Sequence, residues 1–225
     1  MKRRWWVALT MTAVLGLGAF GWVRSLSDGV DYSGVSSIRN LPAYQDPTLM
    51  ARALTLPVAS QYVAAGLEFQ RNASFCGPAS VVGVLRSWGL DVKQANVLDG
   101  TGKSTWFGLV IPGATLDDLA GVLGHHGRKA TIVREVDLAG FRALMAQAND
   151  PSRRYIVNFH RGPLFGWGGG HHSPIGGYLA DRDLVLVLDV NKRFQAWLVP
   201  TERLFAAVQT TDKQTGQRRG LLVIE

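Results

Sequence analysis

The chain contains one cysteine, Cys76. A lone thiol cannot close an internal disulfide, which leaves three roles: core filler, metal ligand or nucleophile. It stands in Gln70-Arg-Asn-Ala-Ser-Phe-Cys76-Gly-Pro-Ala-Ser80, directly before a Gly-Pro step that suits a helix start. Free backbone N–H groups and the helix dipole stabilise a thiolate at such a place. A nucleophilic thiol also needs a base, a group to orient that base, and donors for the oxyanion. Gln70, six residues upstream, offers a side-chain amide beside the Cys76 backbone N–H. Alone it reads as a surface residue; ahead of Cys-Gly-Pro-Ala-Ser it reads as an oxyanion donor.

Five histidines are candidates for the base. His125 and His126, in Gly-His-His-Gly past a helical stretch, read as surface residues. His160 follows a strand and precedes a Gly/Pro-rich loop. His171 and His172 end the glycine run Gly168-Gly-Gly and lead into a strand. Asp189 falls near the end of the next strand, across a hairpin turn, so antiparallel pairing sets it beside His171 or His172. Neighbouring residues on a strand point to opposite faces, so only one of the two histidines is expected to face the thiol. The order Cys, His, Asp, with the base far downstream on a sheet, is that of papain-like enzymes.

These residues need elements to hold them. Gly77 to Trp88 has helical apolar spacing at Val81, Val84, Leu85 and Trp88, with Gly89 as a stop. Thr115 caps a second helix bearing Leu116, Leu119 and Leu123, and Asp137 a third bearing Leu138, Phe141 and Met145. The second half reads as strands over 155–159, 174–179, 184–190, 194–199 and 221–224, interrupted by a short helix at 201–208. The expectation is an α+β, papain-like fold, with an N-terminal helical lobe packed on an antiparallel sheet.

Lys2-Arg3-Arg4 precede an uncharged apolar stretch from Trp5 to Val23, long enough nearly to span a bilayer. Residues 1–23 therefore read as a signal peptide or signal anchor, 24–54 as a polar linker or extension, and 55–225 as the catalytic domain. Basic residues ahead of the apolar stretch place that domain outside the cytoplasm, periplasmic, anchored to the inner membrane or secreted. A single cysteine suits an oxidising compartment, where no second thiol can trap it. The net charge is +7, but no basic run interleaves with aromatics, so nucleic-acid binding is not expected. The charge suits small anionic peptides.

With these residues in view, the chain resembles phytochelatin synthases. Gly170-His171-His172-Ser-Pro-Ile-Gly-Gly-Tyr178 is similar to that family's Gly-His-x-Ser-Pro-x-x-x-Tyr stretch, and Leu188-Asp189-Val190 to its aspartate strand. The register makes His171 the base. Gln70 to Ser80, Ala114 to Ala120, and Thr211-Asp212 through Arg219-Gly220 are similar as well. The resemblance implies Cys76, His171, Asp189 and Gln70 as catalytic residues. It implies Asp212 and Arg219 as substrate-pocket residues, with Arg193 expected to meet a substrate carboxylate. It implies dipeptidyl transfer on glutathione and related γ-glutamyl peptides, through a γ-glutamylcysteinyl thioester resolved by water or a second glutathione. No cofactor is implied for the acylation; cadmium or zinc would enter as a thiolate complex of the substrate or as an activator. A homodimer is compatible with the resemblance. The Tyr-Pro-Pro piece after the aspartate and a cysteine-rich C-terminal region are missing from these 225 residues. Two other readings compete: a papain-like peptidase of the bacteriocin-processing type, which shares the Gln and Cys-Gly-Pro-Ala elements, and a non-catalytic thiol module holding a soft metal.

Overall fold

The computed structural model describes residues 30–225. The segment expected to meet a membrane, residues 1–23, lies outside them. Among the described residues no helix is long and apolar enough to cross a membrane.

In chain order the elements are α1 (Pro47–Leu54), α2 (Pro57–Ala65), α3 (Cys76–Ser87), α4 (Leu116–His125), β1 (Ala130–Val133), α5 (Leu138–Ala146), β2 (Arg154–His160), α6 (Gly162–Phe165), β3 (Gly170–Leu179), β4 (Leu184–Leu188), β5 (Ala196–Pro200), α7 (Thr201–Val208) and β6 (Leu221–Ile224). The strands form one antiparallel sheet in the order β1-β6-β2-β3-β4-β5. The α+β expectation holds, but the layering differs from a single helical lobe on a sheet. β4 reads Leu-Val-Leu-Val-Leu and is buried at every position. Leu184, Leu186 and Leu188 join the core beneath α2, α3 and α4. Val185 and Val187 join a second core with Phe141, Met145, Trp197 and Leu204, under α5 and α7. A strand covered on both faces has no reason to alternate apolar with polar.

The nucleophile helix starts where the sequence places it, at Cys76. Gly77 is small because α4 crosses there: a side chain at Gly77 would meet Leu119 and Ala114. α4 is fixed by a capping box, in which the Thr115 side chain accepts from the Asp118 N–H and Asp118 accepts from the Thr115 N–H. β3 begins at Gly170, four residues ahead of the expected strand, so both histidines lie inside it.

The boundary at residue 54 needs correction. The segment expected as a linker is part of the fold from Tyr32 onward. Asp46 caps α1, and the Leu198 N–H bonds the Tyr44 carbonyl at 2.8 Å. Gln45 donates to the carbonyls of Phe194 and Ala196, both at 2.9 Å. Polar composition concealed this, because the residues that enter the cores, Ile38, Tyr44 and Ala53, are widely spaced among polar neighbours.

Arg154 ties the far end of α3 to the sheet. It is fully buried, donates from Nε to Ser87 Oγ at 2.7 Å, and bonds the carbonyls of Pro151 and Arg153 as well as Gln61 on α2. Its guanidinium stacks 4.6 Å from the Trp88 ring. Replacing Arg154 with Leu removes the donor from the buried Ser87 hydroxyl and from the half-buried acceptors around it. The expected loss is about 3 kcal/mol of stability, read as a lower urea midpoint; an unchanged midpoint would contradict this role.

Candidate active site

Cys76 is the first residue of α3, so its N–H has no acceptor within the helix. The loop ahead of it is held by Asn72, whose Oδ1 accepts from the Ser74 N–H at 3.1 Å and from the Ser74 hydroxyl at 2.9 Å. The Asn72 amide in turn donates to the Gly108 carbonyl at 3.0 Å. Gln70 lies on this loop. Its backbone N–H bonds the Val190 carbonyl at 2.7 Å, which ties it to the residue after Asp189. Its side-chain amide gives one hydrogen to the Asn72 carbonyl at 2.7 Å. The second hydrogen on that nitrogen remains available.

Asp189 follows β4 and is almost completely buried. Its carboxylate accepts from His171 Nε2 at 2.9 Å, from the Asn191 N–H at 2.9 Å and from Trp197 Nε1 at 3.1 Å. Arg161 Nη2 reaches both of its oxygens, at 3.0 and 2.8 Å. Burial alone would raise the Asp189 pKa, but His171, Arg161 and the Asn191 N–H overcome it and hold the carboxyl at about 2. Arg161 was not anticipated from sequence. It is buried, and its guanidinium lies 3.8 Å from the Phe194 ring centroid. The available signal was a lone charge between two apolar runs, Tyr155 to Phe159 and Leu164-Phe165.

With Nε2 on the carboxylate, His171 has its other nitrogen left to serve the thiol, and His171 and Cys76 each shift the other's titration. His172 Nδ1 lies 3.8 Å from Cys76 Sγ. The expectation that only one histidine faces the thiol is therefore corrected: both act on it. His172 pairs across the sheet with Asn158, on the face that carries Ile156 and Pro174 beneath α3. His171 pairs with Phe159, on the opposite face. α3 presents its N-terminus beside the first residues of β3, where side chains from both faces can turn toward one atom. Alternation governs the body of a strand, and these residues are at its end.

Burial acts most strongly on Cys76 and would raise its pKa. Hydrogen bonds and charge from His171 and His172 outweigh it and bring the thiol well below its ordinary value. For His171, burial and the nearby Arg161 act downward, but Asp189 and the thiol prevail and raise its pKa. The two shifts run toward each other, and both favour a thiolate facing an imidazolium.

Asp212 and Arg219 meet at 3.2 Å. They are not a surface pair. Arg219 is buried and donates to Asn158 Oδ1 at 2.7 Å, and the Asn158 amide donates to Asp212 at 3.2 Å. A side chain at Gly170 would strike the Arg219 guanidinium, so this glycine lets the cation lie against β3 next to His171. Arg193 is not brought to this cluster: it is exposed, with its guanidinium 6.0 Å from the Trp167 ring. His125 is exposed, and His126 is half-buried with Nε2 at 3.0 Å from the Val97 carbonyl. Among the described residues, no group of three His, Cys, Asp or Glu could hold a metal ion.

The thiolate reading is directly measurable. Iodoacetamide should alkylate Cys76 at a rate that stays high well below the pH where an ordinary thiol deprotonates, about 8.5. A rate that rises only near that pH would contradict the ion pair.

The model of the phytochelatin synthase family matches residues 38–221. Glutathione gamma-glutamylcysteinyltransferase 3 of Lotus japonicus is 30% identical over 173 residues, which cover 70% of this chain and 35% of that protein. Glutathione gamma-glutamylcysteinyltransferase 2 of Arabidopsis thaliana is 29% identical over the same length, covering 70% and 37%. The Schizosaccharomyces pombe enzyme of that name is 23% identical, covering 69% and 41%. The matched region is thus about a third of the length of the first of these relatives. Among solved structures, the peptidase domain of Streptococcus ComA is similar at 15% identity and a TM-score of 0.49, covering 70% of this chain and 94% of that domain. From the family model and its extent, the chain belongs to the phytochelatin synthase family.

Proposed function

We propose that the domain is a cysteine-dependent acyltransferase or hydrolase that takes glutathione and related γ-glutamyl peptides as acyl donors. The observation that carries this reading is a thiol lowered by two neighbouring histidines, one of them bonded to the buried Asp189, in a chain of this family.

The chemistry follows from the geometry. The Cys76 thiolate attacks the carbonyl carbon of the Cys–Gly amide. A C–S bond forms, and the carbonyl π pair moves to oxygen. That oxyanion accepts from the Cys76 N–H and from the second amide hydrogen of Gln70. Collapse breaks the C–N bond as His171 gives its proton to the departing glycine nitrogen. Neutral His171 then takes a proton from water or from the amine of a second glutathione, which attacks the thioester and releases the sulfur. Asp189 keeps the imidazole in the tautomer and orientation both steps need, and Arg161 keeps Asp189 ionised and fixed. Arg219, held by Asn158 and Asp212 beside Gly170, supplies positive charge for a substrate carboxylate. In this reading cadmium or zinc arrives on the substrate thiolate, and the N-terminal apolar segment delivers the domain outside the cytoplasm.

The full-length protein incubated with glutathione should release glycine and form γ-glutamylcysteine or longer (γ-Glu-Cys)ₙ-Gly chains, separated by mass spectrometry with and without cadmium. Cys76→Ser should lower glycine release by roughly 10³-fold or more. Asp189→Asn should lower it by about 10²–10⁴-fold, and should also depress the melting temperature because Arg161 loses its buried counter-charge. Cleavage of longer peptides without glycine release, or full activity in Cys76→Ser, would overturn the reading.

A further inference from the structure

His172 has no part in the reaction as written, yet it is one of the groups closest to the nucleophile. Its Nδ1 is 3.8 Å from Cys76 Sγ, a distance at which the large sulfur atom still accepts an N–H. The ring is 5% exposed, and its Nε2 is buried with no hydrogen-bond partner. A proton on Nε2 would be a buried donor without an acceptor. The neutral ring is therefore better served by a proton on Nδ1, the nitrogen that faces the sulfur.

We propose that His172 is a second catalytic imidazole, which donates its Nδ1–H to the Cys76 sulfur as the thioester is resolved. This rests on the nucleophilic role given to Cys76 above. The two histidines divide the second half-reaction. His171 is then occupied with the incoming water or amine, whose proton it accepts as the new C–O or C–N bond forms. When the tetrahedral intermediate collapses, the C–S bond breaks and its electron pair goes to sulfur. An N–H already aligned on that sulfur stabilises the pair as it arrives. His172 keeps its own proton throughout, so it ends each cycle as it began. In the resting enzyme the same bond supports the thiolate. His171 and Arg161 also bear on the sulfur, and Asp212, held by Asn158 and Arg219, bears on His172.

The test compares wild type with His172→Leu, which removes the donor, and His172→Asn, whose amide nitrogen occupies the place of Nδ1. Glycine release is followed in the pre-steady state and the intact protein is weighed during turnover. The leucine variant should keep its first equivalent of glycine, lose about tenfold or more in steady-state turnover, and accumulate protein heavier by one γ-glutamylcysteinyl group. The asparagine variant should recover much of the loss. In parallel, the pH at which iodoacetamide reactivity rises should move up by about one unit in the leucine variant and less in the asparagine variant. The proposal is overturned if the leucine variant, folded by circular dichroism, turns over as wild type does, or slows both phases equally without accumulating acyl-enzyme. An unmoved alkylation profile overturns it too. If wild type itself releases no glycine, the proposed function fails, and the alkylation profile still decides whether His172 acts on the sulfur.

Discussion

The site depends on one buried carboxylate. An ionised Asp189 in the interior would be untenable alone, because removing a charge from water costs several kcal/mol or more. Here it is met by the Arg161 guanidinium on both oxygens, by the Trp197 and Asn191 N–H groups, and by His171. Arg161 is made bearable in turn by the ring of Phe194 beneath it and by the carboxylate itself. With Cys76 as thiolate and His171 as imidazolium, the charges of these two and of Asp189 and Arg161 sum to zero. Neutrality of the group lets a strongly polar cluster sit between two apolar cores.

Around that cluster the fold acts as a set of ties between its two halves. Gln70 is joined through its backbone N–H to the carbonyl of Val190, so one hydrogen bond ties the loop ahead of Cys76 to the residue after Asp189. Arg154 fastens the C-terminal end of α3 to β2, and Gly77 lets α4 press on the other end. The thiol is thereby held off the end of β3, the one place where side chains from both faces of the sheet converge on a single atom.

Much of this was legible in the sequence. Cys76, Gln70 and Asp189 could be found because each sits in a local pattern that points to its use: a Gly-Pro helix entry, a short lead-in loop, a strand end across a hairpin. The interiors of α3, α4 and α5 followed from apolar periodicity, and the starts of α4 and α5 from their caps, Thr115 and Asp137. What escaped was set by tertiary contact. Arg161 looks like any charge in a loop until Asp189 is placed beside it. The pointing of both His171 and His172 to one sulfur contradicts alternation, and only the position of α3 explains it. The packing of residues 32–54 was hidden because its core residues, Ile38, Tyr44 and Ala53, are too widely spaced to form an apolar pattern. Arg193, taken from the resemblance as a contact for a substrate carboxylate, stands exposed beside Trp167, a placement that a loop sequence does not reveal.

The neutral quartet divides into two pairs, and that bears on how such a protein changes over generations. The Arg161–Asp189 pair balances itself, whatever happens at the thiol. A lineage could lose Cys76 and still keep a buried, satisfied ion pair and an intact core. Loss of Asp189 alone would strand a cation inside the molecule. Inactive descendants of this fold should thus shed the nucleophile first and retain the acid and its arginine as a structural relic, or exchange both together.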